Sequence, residues 1–106
     1  MADRPVVLVT GAARRLGRAI ALELAAHGHD IALHHRSHAE EARATLAELR
    51  ALGARAEEFS VDLTDESATR ALLPAAAAQF GRVDALVNNA SLFEPDEVAS
   101  LSLIHI

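Results

Sequence analysis

The chain has 106 residues, a formal charge of −5, no cysteine and no tyrosine, and all ten of its basic residues are arginine. That length admits one domain at most, and the negative balance argues against nucleic acid or an anionic membrane as the main partner. Hydrophobic residues make up 51% and aromatics 3%, which excludes disorder, demands an aliphatic, alanine-rich core, and leaves no thiol, phenol or lysine amine for chemistry.

Residues 6–10, Val-Val-Leu-Val-Thr, form a short apolar run rich in β-branched side chains, which predicts a strand buried on both faces. A glycine turn follows, Gly11-Ala12-Ala13-Arg14-Arg15-Leu16-Gly17, and Leu16, Ile20 and Leu24 then repeat at helical spacing up to Gly28. Strand, glycine turn and helix start in this order shape a backbone to hold a pyrophosphate. Arg14, Arg15 and Arg18 oppose the usual acidic preference of a helix start, a conflict that a bound anion would remove; a solvated basic edge is the plainer alternative.

Residues 31–35 predict the second strand. Ser37 and Glu40 stand at capping-box spacing before a helix marked by Ala42, Leu46 and Leu49 and stopped at Gly53. Residues 59–61 predict a third strand ending at Asp62. Thr64 is the candidate N-cap of a third helix running to Gly81, and Pro74 inside it predicts a kink or a restart. Residues 85–88 predict a fourth strand. The alternation β-α-β-α-β-α-β is the grammar of an α/β, doubly wound parallel sheet, of which this chain would supply the N-terminal half.

In such a sheet ligands sit at the carboxyl ends of the strands. Gly11 and Gly17, Arg36 and Ser37, Asp62 and Leu63, and Asn88-Asn89-Ala90-Ser91 all fall there. Arg36 and Ser37, with Arg14 from the neighbouring turn, suit a 2′-phosphate, so NADP(H) is expected in preference to NAD(H); the competing view makes Arg36 an exposed cation and Ser37 just a helix cap, and Ser37 could do both jobs. His34 and His35 would point to opposite faces of their strand, so a packing or surface role is expected for them and no metal site.

Taken together, the Thr10–Gly17 stretch, Asp62-Leu63 and Asn88-Asn89-Ala90 resemble the cofactor motifs of short-chain dehydrogenases/reductases. The resemblance implies a Rossmann-type fold and hydride transfer with a nicotinamide cofactor. It puts Gly11, Arg15, Leu16 and Gly17 at the pyrophosphate, Arg14, Arg36 and Ser37 at the 2′-phosphate, and Asp62 and Leu63 at the adenine. Asn88, Ala90 and Ser91 would border the ribose and the nicotinamide side. Arg15 replaces the usual middle glycine, as in pteridine reductases, and Phe93 would correspond to their pterin-stacking residue. Arg15, Ser91 and Phe93 are therefore candidate substrate contacts, with a pterin or another carbonyl or imine compound as the small-molecule substrate.

The resemblance also implies a catalytic Tyr–Lys pair, and this sequence contains neither residue. No catalytic residue is assigned here. The expectation is a partial NADP-binding domain over residues 1–100, inactive alone, with the 85–88 strand left as an uncovered apolar edge. Residues 101–106 resemble a translated sequencing-library adapter and are expected to be non-native, an ordinary apolar strand being the alternative. No apolar run approaches the ~20 residues that span a bilayer, so a cytoplasmic protein without membrane contacts is expected, homo-oligomeric in its complete form. A non-catalytic dinucleotide-binding or sensor module remains the reading from another class.

Overall fold

A computed structural model describes residues 4–89 and the backbone of Ile104 and His105. β1 (Val6–Val9), α1 (Arg15–Ala26), β2 (Asp30–His35), α2 (Ala39–Ala51), β3 (Ala56–Ser60), α3 (Glu66–Phe80), β4 (Ala85–Val87) and β5 (Ile104–His105) follow in chain order. All strand pairs are parallel, in the order β3-β2-β1-β4-β5. The chain therefore winds outward from β1 to β3 and then returns to β1's other side, and the crevice at that reversal is where an open parallel sheet accepts a ligand.

Alternation along the strands sends side chains to two cores. Val7, Val9, Ile31 and Leu33 meet Ala21 and Ala25 of α1 and Ala42, Leu46 and Leu49 of α2 on one face. Leu8, Ala32 and Leu86 meet Leu72, Leu73 and Ala76 of α3 on the other. β1 is buried along its whole length, as its unbroken apolar run predicts. The α/β class and the β-α-β-α-β-α-β order expected from the sequence are the observed ones.

Several local expectations are corrected. β3 starts at Ala56, earlier than the predicted 59–61, because Glu57 and Glu58 belong to an edge strand where charged side chains reach solvent or partners. α2 has His38, not Ser37, at its N-cap, with no side-chain capping bond. α3 is capped by Asp65, whose carboxylate accepts from the Ala68 amide at 3.1 Å; Thr64 instead donates its amide and hydroxyl to Asp62. Pro74 neither ends nor restarts α3, for it lies on the exposed face, where water can take the carbonyl bond that the ring denies. The edge expected to stay open at β4 is paired: Ala85 aligns with Ile104 and Leu86 with His105. A β-branched residue and its neighbour offer their backbone groups to the same unpaired row that makes an open edge a template.

Candidate functional site

The site is built outward from Gly11, which leaves β1 in the left-handed region at φ 64. Its amide donates to Nδ1 of His34 at 2.9 Å and its carbonyl accepts from Nδ2 of Asn89 at 3.2 Å, so side chains from β2 and from the end of β4 grip the turn from two sides. Ala12 donates its amide to the His34 carbonyl at 2.8 Å. Thr10 anchors the end of β1, its amide on the Val87 carbonyl at 3.0 Å and its hydroxyl 3.3 Å from Oδ1 of Asn88.

α1 begins immediately behind this turn. A Cβ on Gly17 would stand 2.1 Å from the Gly11 carbonyl oxygen and 2.8 Å from Asn89 Nδ2, so only glycine lets the first turn of the helix come this close. Arg15 occupies φ 55, a conformation that costs a residue with a side chain about 1–2 kcal/mol. Arg14, at the N-cap, makes no side-chain capping bond, and no acidic residue sits in the first turn. The amides and dipole of a 12-residue helix are thus left to face an anion.

A cavity of about 400 Å³ opens here. The β1–α1 turn contributes Gly11, Ala13, Arg14, Arg15 and Leu16; β2 contributes His34, His35 and the following Arg36; His38 and Asn89 complete the wall. Leu16 is 64% exposed, an unpacked apolar side chain on the wall of a polar site. His35 is 4% exposed, and while its Nε2 lies 3.1 Å from Glu58, its Nδ1 has no hydrogen-bond partner. A buried polar atom without a partner is costly, and a ligand hydroxyl or phosphate would satisfy it.

The cations at the mouth are held loosely by the protein's own carboxylates. Arg14 stands 3.9 Å from Glu41 and 2.9 Å from His38 Nε2, while Arg36 stands 3.3 Å from Asp62. Thr64's hydroxyl and amide, together with the Arg36 charge, hold the Asp62 carboxyl below its ordinary value. Exposed pairs of this kind are worth about 0–1 kcal/mol, so a phosphate can displace the carboxylates. Burial pushes the imidazole of His34 below its ordinary value, opposed by the Val61 carbonyl and reinforced by His35.

Of the predicted residues, Gly11, Arg14, Arg15, Leu16 and Arg36 line the cavity, Gly17 packs directly beneath it and Asn88 lies beside it. Ser37 is exposed next to His38, and Asp62 reaches the site through Arg36. Two side chains turn away from the cavity. Leu63 turns its side chain into the α3-side core, so it could offer an adenine ring only its backbone. Arg18 does not line the cavity, because it extends to α2 and pairs with Glu48. Ala90, Ser91 and Phe93 lie outside the described residues. Asn89 was placed at this rim by its motif but given no role, and His34, His35 and His38 were not among the predicted site residues; two histidines at the end of an otherwise apolar strand, opposite a glycine turn, were the available signal.

A family model described as short chain dehydrogenase matches residues 5–105. The chain is 38% identical over 85 residues to a 3-oxoacyl-(acyl-carrier-protein) reductase of Staphylococcus aureus, covering 80% of this chain and 35% of that protein. It is 40% identical over 87 residues to a 1,6-dihydroxycyclohexa-2,4-diene-1-carboxylate dehydrogenase of Acinetobacter baylyi, covering 82% of this chain and 33% of the relative. Among solved structures, a short-chain dehydrogenase/reductase of Sinorhizobium meliloti superposes with a TM-score of 0.80 at 41% identity, over 94% of this chain and 48% of that one. A Burkholderia cenocepacia dehydrogenase with bound NADP superposes with a TM-score of 0.77 at 33% identity, over 93% and 42%. The chain spans about a third of the length of the curated relatives it matches.

Proposed function

The chain belongs to the short-chain dehydrogenase family, and on that premise we propose that it is the dinucleotide-binding portion of an NADP(H)-dependent oxidoreductase. The observation that carries this reading is one cavity that combines an anion-ready helix start with two displaceable arginines. The pyrophosphate would rest at the α1 amides behind Gly11 and Gly17, and the 2′-phosphate between Arg14 and Arg36 with Ser37 nearby. A phosphate monoester carries about −1.5 to −2 charges and accepts bidentate guanidinium bonds, so it displaces Glu41 and Asp62, which a ribose hydroxyl could not do. The related structure with bound NADP supports the same choice. The cofactor, when bound, would supply or accept the hydride; this chain's residues bind and orient it.

The substrate reading is a carbonyl or imine compound reduced in the cytoplasm. Its pterin form rests on Arg15, Ser91 and Phe93, whereas the relatives named above carry the names of other substrates. Arg15 lines the cavity in a backbone conformation that would otherwise call for glycine, and that observation keeps it a candidate contact for a planar ring. The further proposals are that the complete protein is a homo-oligomer and that residues 101–106 are either a non-native tail or an apolar strand, the second reading being supported by the pairing of 104–105 with β4.

Calorimetry with NADP+ and NAD+ tests the cofactor. The parent chain is expected to prefer NADP+, and Arg36→Ala to lose roughly 1–3 kcal/mol of NADP+ binding with little change for NAD+. Equal affinities in the parent would overturn the assignment.

A further inference from the structure

We infer that His34 is a positioning residue, a neutral imidazole strut that holds the glycine turn in its binding-competent shape and fails when it takes up a proton. The inference rests on the dinucleotide reading and adds to it a residue that acts through the turn. His34 is 2% exposed, and both ring nitrogens are engaged: Nδ1 accepts from the Gly11 amide at 2.9 Å, and Nε2 lies 2.8 Å from the Val61 carbonyl. A carbonyl can only accept, so Nε2 carries the proton and Nδ1 is bare. The ring thereby ties the turn after β1 to the chain leaving β3, where Asp62 holds Arg36.

Protonation would put a hydrogen on Nδ1, facing the Gly11 N–H, and would turn an attraction into donor against donor. Gly11 would then lose the bond that fixes its amide, while its carbonyl still contacts Asn89 and lies under Gly17. The charged and titratable groups around the ring are His35 and Arg36 along β2, Arg14, Arg15 and His38 on the same cavity wall, Glu58 on β3 and Asp62 beyond it. Among these His35 acts on His34, and its charge opposes protonation. β1, β4 and α3 close this side of the sheet with Leu8, Leu86, Leu72 and Leu73, which carry no charge. Because the folded value lies below the ordinary one, the unfolded chain binds the proton more readily. The strut's stability is therefore complete above the unfolded value near 6.5 and is lost as pH falls toward the folded one.

The effect belongs to the turn, so it should act on NADP+ and NAD+ alike. NAD+ is the cleaner probe, since the 2′-phosphate titrates near 6 in its own right. Nucleotide affinity of the parent is measured by calorimetry from about pH 7.5 down to the lowest pH at which circular dichroism still reports the fold. The parent should lose affinity for both nucleotides, approaching tenfold for each unit below the His34 value. His34→Asn keeps a donor and an acceptor but does not titrate, and should flatten the NAD+ profile; His34→Phe should weaken both nucleotides at every pH. Nitrogen-15 imidazole spectra of the parent should show a bare Nδ1 at neutral pH and a Gly11 amide shift that follows the His34 titration, which decides the matter where a variant does not fold. A flat NAD+ profile in folded parent, an acid slope retained by His34→Asn, or a protonated Nδ1 at neutral pH overturns the strut alone. No binding of either nucleotide by the parent at neutral pH overturns the cofactor reading as well.

Discussion

Gly17 shows how one residue type can be fixed by a distance. Its missing Cβ would sit 2.1 Å from a backbone oxygen, and backbone cannot rotate aside as a flexible side chain can. Gly17→Ala is therefore expected to push α1 away from the turn, destabilising the chain by about 1–3 kcal/mol and removing nucleotide binding. A urea melt with calorimetry checks both, and a stable, binding-competent variant would contradict the packing described. The glycine was legible in the sequence because turn chemistry and spacing mark it. Arg15's positive φ was signalled only by its standing in a glycine position, since nothing in an arginine itself announces left-handed backbone. The packing role expected for His34 and His35 fits their burial, but the partner of His34 was not legible for a related reason. Periodicity places His34 on a strand face, but only the fold brings Gly11, 23 positions away, to its ring.

Secondary structure was legible where the physics is local. β1 and α1 follow from an apolar run and a helical repeat, and the glycines after α1 and α2 and at the end of α3 take positive φ where the helices stop. Caps and edges were less legible because several residues compete for one role. Thr64 and Asp65 are both good caps, and the second takes the position because the first is bound to Asp62. Edge strand β3 escapes an apolar-run criterion, since Glu57 stands 3.7 Å from Arg50 and 3.8 Å from Arg55. Pro74 makes the same point in reverse. The sequence sees a helix breaker, whereas α3 keeps its course because the proline faces water and Leu72, Leu73 and Ala76 hold the other face. Proline remains a poor helix residue even there, so Pro74→Ala should raise stability by up to ~3 kcal/mol, read as a shifted denaturant midpoint at unchanged slope. No gain would mean that the helix has already absorbed the cost.

Across the molecule the two rims of the sheet treat their charges differently. At the amino ends of the strands, Arg4 meets Asp30 at 2.7 Å, Arg82 meets Asp84 at 2.7 Å, and the Arg55 guanidinium lies 4.7 Å from the Phe80 ring centre. At the carboxyl ends Arg14 and Arg36 stand off at 3.9 and 3.3 Å beside a cavity. One rim staples the sheet and the other leaves its arginines beside a cavity, a contrast that needs the fold to be seen. No described helix is long and apolar enough to cross a membrane. Binding and turnover should separate in this chain. On the dinucleotide proposal, phosphate binding needs only backbone amides, glycines and arginines, and the cavity rim supplies all three. Hydride transfer to a carbonyl or imine also needs a proton donor poised at the developing charge, and the chain has no phenol and no lysine amine to serve. The purified 106-residue chain is therefore expected to bind NADPH while oxidising it no faster than buffer does with any carbonyl or pterin offered. Following NADPH absorbance alongside fluorescence titration checks both halves. Sustained turnover would mean that a histidine of the cavity wall, His35 or His38, can act as the acid.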